Sequence, residues 1–202
     1  MKKLFLLLLP ALAFISACKK DSSNDPAGGS GGDTTNISAV PTSFTQKVLF
    51  ETITGAGQAQ CPDGFVKMDA ITAANPTKAI PVYIHFSDAM EMSQYTALYN
   101  QFGGGMGVQF PSAMVNRTAS VGNTYLNRLQ WQSNFDVAKA KSPSCGLAIE
   151  STITGNNASI DVHAGFKAAM SGNYNVTVYL VEDNVTGTGS TYDQRNSYNT
   201  VA

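Results

Sequence analysis

The stretch TITGAGQAQCPDGF, residues 52–65, sets one cysteine directly before a proline, between an apolar run and a helical pattern. Ahead of it, QKVLFETIT (46–54) is a short apolar and β-branched run suited to a buried strand. Behind it, PDGFVKMDAITAAN (62–75) places Phe65, Met68 and Ile71 at helical spacing. Pro62 suits a first helical turn, and Asn75-Pro76 supplies the stop. The stretch is therefore a strand-to-helix turn, and Cys61 is either a reactive thiol or the remnant of a site that no longer does chemistry.

Working outward, AIPVYIHF (79–86) reads as a second strand, and AMEMSQYTALYNQF (89–102) as a second helix with Met92, Tyr95, Leu98 and Tyr99 on one side. Strand, helix, strand, helix implies an α/β layer with parallel neighbours. The glycine-rich GGGMGVQ (103–109) has no Lys-Ser or Lys-Thr after it and opens no helix, so it is a connector and not a phosphate loop. FPSAMVNR (110–117) starts another strand at Pro111, and TYLNRLQWQSNFDVAKAK (124–141) reads as a helix ending before Ser142-Pro143. Trp131 on that helix is expected to pack in the core or between domains.

From Cys145 the period changes to two. Leu147, Ile149, Ser151 and Ile153 form one alternating set; Ile160, Val162, Ala164 and Phe166 a second; Tyr174, Val176, Val178 and Leu180 a third. The turns between them are GNN (155–157) and SGN (171–173). An all-β domain is thus expected from 145 to 202, with fewer strands than the roughly seven of a full sandwich. Either the sheet is truncated, or another part of the chain or a partner completes it. An unpaired edge would be an aggregation liability or a docking rail for another strand.

The chain of 202 residues, 43% hydrophobic, can bury a real core. Thirteen Lys and Arg balance fourteen Asp and Glu for a net charge of −1, which gives no footprint for a nucleic-acid partner. The first residues, MKKLFLLLLPALAFISAC, join Lys2 and Lys3 to an apolar run from Leu4 to Ile15, the pattern of an export signal. Pro10 interrupts that run, which is also shorter than the ~20 residues of a spanning helix. ISAC (15–18) resembles the lipobox of bacterial lipoproteins, cleaved before Cys18, which then becomes the lipidated first residue; cleavage by ordinary signal peptidase would instead leave a soluble protein. Each buried acyl CH₂ contributes about 0.8 kcal/mol, so several chains hold firmly. No aspartate directly follows Cys18, and KKDSSND (19–25) comes next, which favours outer-membrane delivery and is compatible with surface display. Residues 19–45, rich in Ser, Gly, Asp and Asn, read as a flexible tether. The expected organisation is a signal over 1–18, the tether, an α/β domain over 46–142 and the β domain over 145–202.

VLFETITG (48–55), CPDG (61–64), AIPVYIHF, FPSAMVNR and YNVTVYLVEDNVTG (174–187), in that order, resemble the outer-membrane-protein-28-related lipoproteins over most of residues 46–190. The resemblance implies an α/β thioredoxin-like domain followed by an all-β, immunoglobulin-like sandwich, incomplete here. Thioredoxin-like domains set a C-x-x-C pair at the first strand-to-helix turn, where the helix N-terminus lowers the pKa of the first cysteine. Members of the resembled family often show a tryptophan, a cysteine, two residues and then Cys-Pro. Here Cys61-Pro62 matches the second cysteine, Gln58 stands at the first and Gly57 replaces the tryptophan. The attacking sulfur is missing. Pro111 matches the cis-proline that faces the thiol site, with Phe110 presented just before it. Gln58, Cys61, Phe110 and Pro111 then outline a candidate groove for an extended peptide.

Three roles remain open for Cys61. Single-thiol exchange is chemically feasible, but completing or releasing a protein disulfide needs a second thiol. A buried, inert thiol is the plainest alternative. A bridge to Cys145, the only other cysteine once Cys18 is lipidated, suits an oxidising compartment if the two Cα atoms lie within ~7 Å. His85 sits in an apolar run and His163 in an alternating one, without clustered ligands, so no metal site is expected. Glu182 and Asp183 read as a solvated turn, and SPSCG (142–146) lacks the G-x-S-x-G elbow. No cofactor is implied. The sequence points to a lipid-anchored outer-membrane protein on the periplasmic or cell-surface face that works by binding peptide, protein or glycan, or by envelope interactions, rather than by catalysis; the alternative is thiol-disulfide exchange by Cys61.

Overall fold

A computed structural model describes residues 40–105, 107–120 and 123–198. The export signal, Cys18 and the tether up to residue 39 lie outside the described residues. The chain divides into two units, 1–34 and 35–202, and every described residue belongs to the second.

The apolar run ahead of Cys61 forms β1 (Val48–Thr54), central in a four-stranded sheet. It pairs in parallel with β2 (Ala79–His85), Val48 opposite Ala79 and Thr54 opposite His85. On its other side β3 (Ser112–Val115) runs antiparallel, Phe50 opposite Val115, and β4 (Leu126–Asn127) runs antiparallel to β3, giving the order β2-β1-β3-β4. The crossover from β1 to its parallel neighbour is α1 (Cys61–Ala74), with Pro62 in the first turn, where its missing N–H needs no partner. Asn75 ends it: its backbone N–H donates to Thr72 O and its side-chain amide to Ile71 O.

Strand alternation splits β1 between two apolar clusters. Val48 and Phe50 pack with Met68, Ile71, Trp131 and Phe135; Ile53 packs with Ile84, Tyr95, Met114 and Tyr125. Trp131 is fully buried and its indole N–H donates to Leu126 O at 2.9 Å, so this tryptophan is core.

Two helices differ from expectation. The expected helix over 89–102 is reduced to α2 (Tyr95–Gln101). The Asp88 carboxylate accepts from Met90 N–H at 2.9 Å, and Glu91 accepts from Ser87 N–H, which commits these amides to a turn that competes with helix. The expected helix over 124–141 begins late: residues 126–127 serve as β4, a 3₁₀ turn spans Arg128–Gln130, and α3 covers Trp131–Lys139. Asn127 Oδ1 accepts from Leu129 N–H while Gln130 Oε1 accepts from Asn127 N–H, a reciprocal cap that fixes the start.

Beyond 145 the first two alternating sets pair as β5 (Cys145–Thr154) and β6 (Asn157–Phe166), closed by Gly155-Asn156 with Gly155 at φ +59°. The expected strand over Tyr174–Leu180 joins neither sheet; the side chains of its intervening residues Thr177 and Tyr179 are engaged by Arg117, just past β3. Among the described residues this region is therefore a two-stranded hairpin, and not the pair of facing sheets of a sandwich. Leu147, Ile149, Ile153 and Ile160 on one hairpin face are exposed. On the other face Gly146 and Gly165 admit Phe44 and Pro41: a Cβ on Gly146 would sit 2.5 Å from the Phe44 ring, and one on Gly165 2.1 Å from Pro41 O. The last stretch of the expected tether is thus laid against the hairpin.

Candidate functional site

The loop between β1 and α1 is a pair of overlapping turns. Gln58 N–H donates to Gly55 O and Cys61 N–H to Gln58 O, each at 3.0 Å. Gly55 is required where it stands, since a Cβ there would come within 2.5 Å of Phe86 O. The end of β2 holds the loop from behind: Ala56 N–H donates to Asp88 Oδ2 at 2.8 Å, and the same oxygen lies 2.7 Å from His85 Nδ1. A carboxylate only accepts, so His85 carries its proton on Nδ1. The Asp88 side chain is almost wholly buried, and three donors fix it.

Cys61 is fully buried at the start of α1. Burial pushes its thiol up; the Thr54 hydroxyl, the Gly55 backbone and the Arg128 charge pull the other way without reversing it. The sulfur is therefore a protonated thiol at neutral pH, a poor nucleophile. Cys145 stands exposed at the start of β5, and both cysteines are free thiols, so the bridge entertained from the sequence is not formed.

Of the other groove candidates, Pro111 is brought to the first turn of α1. The Phe110–Pro111 peptide is cis, as the resemblance implied. The proline ring lies against Gly64, where a Cβ would meet Pro111 Cγ at 2.5 Å and the Trp131 ring at 3.2 Å. Gln58 lies half-buried in the loop. Phe110 packs in the second cluster, stacked on Phe86 with centroids 5.3 Å apart. Of the remaining sequence candidates, His163 lies 3.8 Å from Glu150 on the hairpin, and Glu182 and Asp183 are exposed.

Two arrangements escaped the sequence reading. Asp63, in the first turn of α1, pairs with Lys67 at 3.0 Å and with Arg128, whose hydrogen bond holds the Asp63 carboxyl below its usual range. Arg128 Nη2 also donates to the Tyr198 hydroxyl at 2.8 Å, which brings the segment 194–198 over the loop. The second arrangement is a buried ion pair. Glu51, fully buried in β1, accepts from Arg117 Nε at 2.8 Å and from Nη2 at 2.7 Å, and from the Tyr179 hydroxyl. Arg117 caps this with Nη1 to Thr177 Oγ1 at 3.3 Å and a face contact on Phe102 at 4.7 Å. The signal was present: a carboxylate inside an otherwise apolar strand needs a buried cation.

An α/β sheet with one buried thiol at its first strand-to-helix turn, joined to a β-hairpin, defines a mixed α/β protein with no dithiol at that turn. The chain belongs to the family described as outer membrane protein Omp28, whose model matches residues 95–201. A crystal structure of a protein from Agrobacterium tumefaciens is similar at 16% identity and a TM-score of 0.43, over 60% of this chain and 58% of that one. The chain thus spans less than two thirds of that neighbour's length. No curated protein matches the chain. No helix among the described residues is long and apolar enough to cross a membrane.

Proposed function

We propose that this chain is a lipid-anchored outer-membrane or cell-surface protein that works by binding, built on a thioredoxin-like domain that has lost its redox pair. The strand order β2-β1-β3-β4, the parallel β1–β2 pair with antiparallel β3 and β4, and the Pro111 ring against the first turn of α1 support the thioredoxin-like reading. Family membership supports the outer membrane, and the ISAC lipobox supports anchoring through Cys18. The exposed apolar face of the hairpin supports reading β5 and β6 as part of an incomplete sandwich-like layer. One observation carries the non-catalytic conclusion: the sole sulfur at the turn, Cys61, is buried and protonated, and Gln58 stands where its partner would be. Disulfide exchange needs a thiolate to attack and a second thiol to release the product. This site offers neither.

Insulin reduction by dithiothreitol tests the conclusion, with the detergent-solubilised chain added. The expected rate equals that of dithiothreitol alone. A rate increase that disappears in Cys61→Ser would establish exchange chemistry and overturn the binding-only function. Anchoring has its own readout: labelled palmitate enters the wild-type chain and not Cys18→Ala.

A further inference from the structure

The loop ahead of α1 carries a bound segment of its own chain. Arg195 N–H donates to Ala56 O at 2.8 Å and Ser197 N–H to Ala59 O at 2.9 Å, so two main-chain amides two residues apart face the loop, and an Asx turn, Tyr198 N–H to Asn196 Oδ1 at 2.8 Å, bends the segment at its end. Gln194 Nε2 reaches Ala56 O at 3.2 Å and Gln58 O at 3.1 Å, and Ser197 Oγ donates to Ala59 O at 2.8 Å. At the far end Arg128, fixed by Asp63, donates to the Tyr198 hydroxyl. The loop thus offers a row of carbonyl acceptors, held rigid by Asp88 behind Ala56, with one cationic donor closing the row. Residues 193–197 are exposed, so the segment is held by surface hydrogen bonds with little apolar burial, and such contacts open at low cost.

We infer that residues 56–60 together with Arg128 form a binding site for a peptide bearing a side-chain amide, then a hydroxyl three residues on, then a tyrosine, and that residues 194–198 are its resident, displaceable occupant. This rests on the binding function proposed above and gives it a ligand class. The site rejects acid at the amide position: a carboxylate has no N–H to donate and would face the carbonyls of Ala56 and Gln58. Because the resident segment is tethered, its effective concentration is on the order of millimolar, and an outside peptide must compete with it.

The test uses the amidated, fluorescein-labelled peptide TYDQRNSY, the sequence of residues 191–198, titrated by anisotropy into the full chain. Loosening the resident segment with the double substitution Gln194→Ala, Tyr198→Phe is expected to tighten peptide binding about tenfold over wild type, since competition by the tethered copy falls. Adding Arg128→Met to that variant, or replacing the peptide's glutamine by glutamate, is expected to abolish binding. Hydrogen exchange supplies a readout independent of the peptide: the Arg195 and Ser197 amides are protected in the wild type and exchange freely in the double variant, while Trp131 fluorescence stays unchanged. Equal affinity in wild type and double variant, full retention with the glutamate peptide, or no binding to any form would overturn the inference. Such a failure leaves the insulin result untouched, and insulin turnover would not alter the peptide titration.

Discussion

Replacing Arg117 by methionine removes the only cation among the described residues that touches the fully buried Glu51. The carboxylate then keeps the Tyr179 hydroxyl alone, having lost three N–H contacts at 2.7, 2.8 and 3.1 Å. Breaking a buried pair at one partner costs about 3–5 kcal/mol. The Arg117 side chain is 27% exposed, so water partly screens the pair and the lower end, about 3 kcal/mol, is the better figure. With a urea slope of about 2 kcal/mol per molar, the unfolding midpoint should fall by about 1.5 M. Buried Trp131 provides the fluorescence signal, measured at pH 7. The double substitution Glu51→Leu, Arg117→Met removes both charges and should lie within about 1 kcal/mol of wild type, because apolar replacement of a whole buried pair is close to neutral. If the single variant loses under about 0.5 kcal/mol, or the double variant is as unstable as the single, the pair does not hold residues 177–179 to the sheet as described.

Gly64→Ala should cost about 1–3 kcal/mol and lower the melting temperature, because the new methyl meets the rigid Pro111 ring with Trp131 behind it; an unchanged melting temperature would mean Pro111 does not pack on α1. Asp63 titrates below its usual range chiefly through Arg128, so its stabilisation is present above about pH 4, the unfolded value, and is lost as pH falls through the lower folded value. Asp63→Asn should therefore flatten the acid limb of the stability curve and leave no change in slope near pH 8. Gln58→Cys should form a reducible disulfide with Cys61, since the Cys61 N–H to Gln58 O turn brings the two Cα atoms within about 7 Å; two free thiols by mass after mild oxidation of a folded variant would count against that turn.

Most of the sheet was legible because period and punctuation agreed. The run 46–54, the Pro62 start and the Asn75-Pro76 stop drew β1 and α1 with burial that matched their pattern, and the GNN turn placed the β5–β6 hairpin, whose alternating apolar face is nevertheless exposed. The helix over 124–141 was misdrawn because Tyr125 and Leu126 also fit helical spacing; pairing with β3 overrode that spacing, although the Asn127…Gln130 cap was written in the residues. At Tyr174–Leu180 the alternation was real, but the face that docks is the polar one of Thr177 and Tyr179, leaving the apolar face exposed. The turn at Cys61 was readable from Gln58, Cys61 and Pro62 alone. Residues 194–198 were not, because main-chain amides carry much of that contact and no side-chain period announces it.

The central claim is that Cys61 is an inert, buried thiol in a binding domain. Its most direct test is the pH dependence of Cys61 alkylation, followed by mass in a Cys145→Ser background that also lacks Cys18. Labelling should be slow throughout the neutral range and rise only above the ordinary thiol range of about 8.5, becoming fast when the protein is unfolded in urea. Rapid labelling of the folded protein near pH 6 would contradict it.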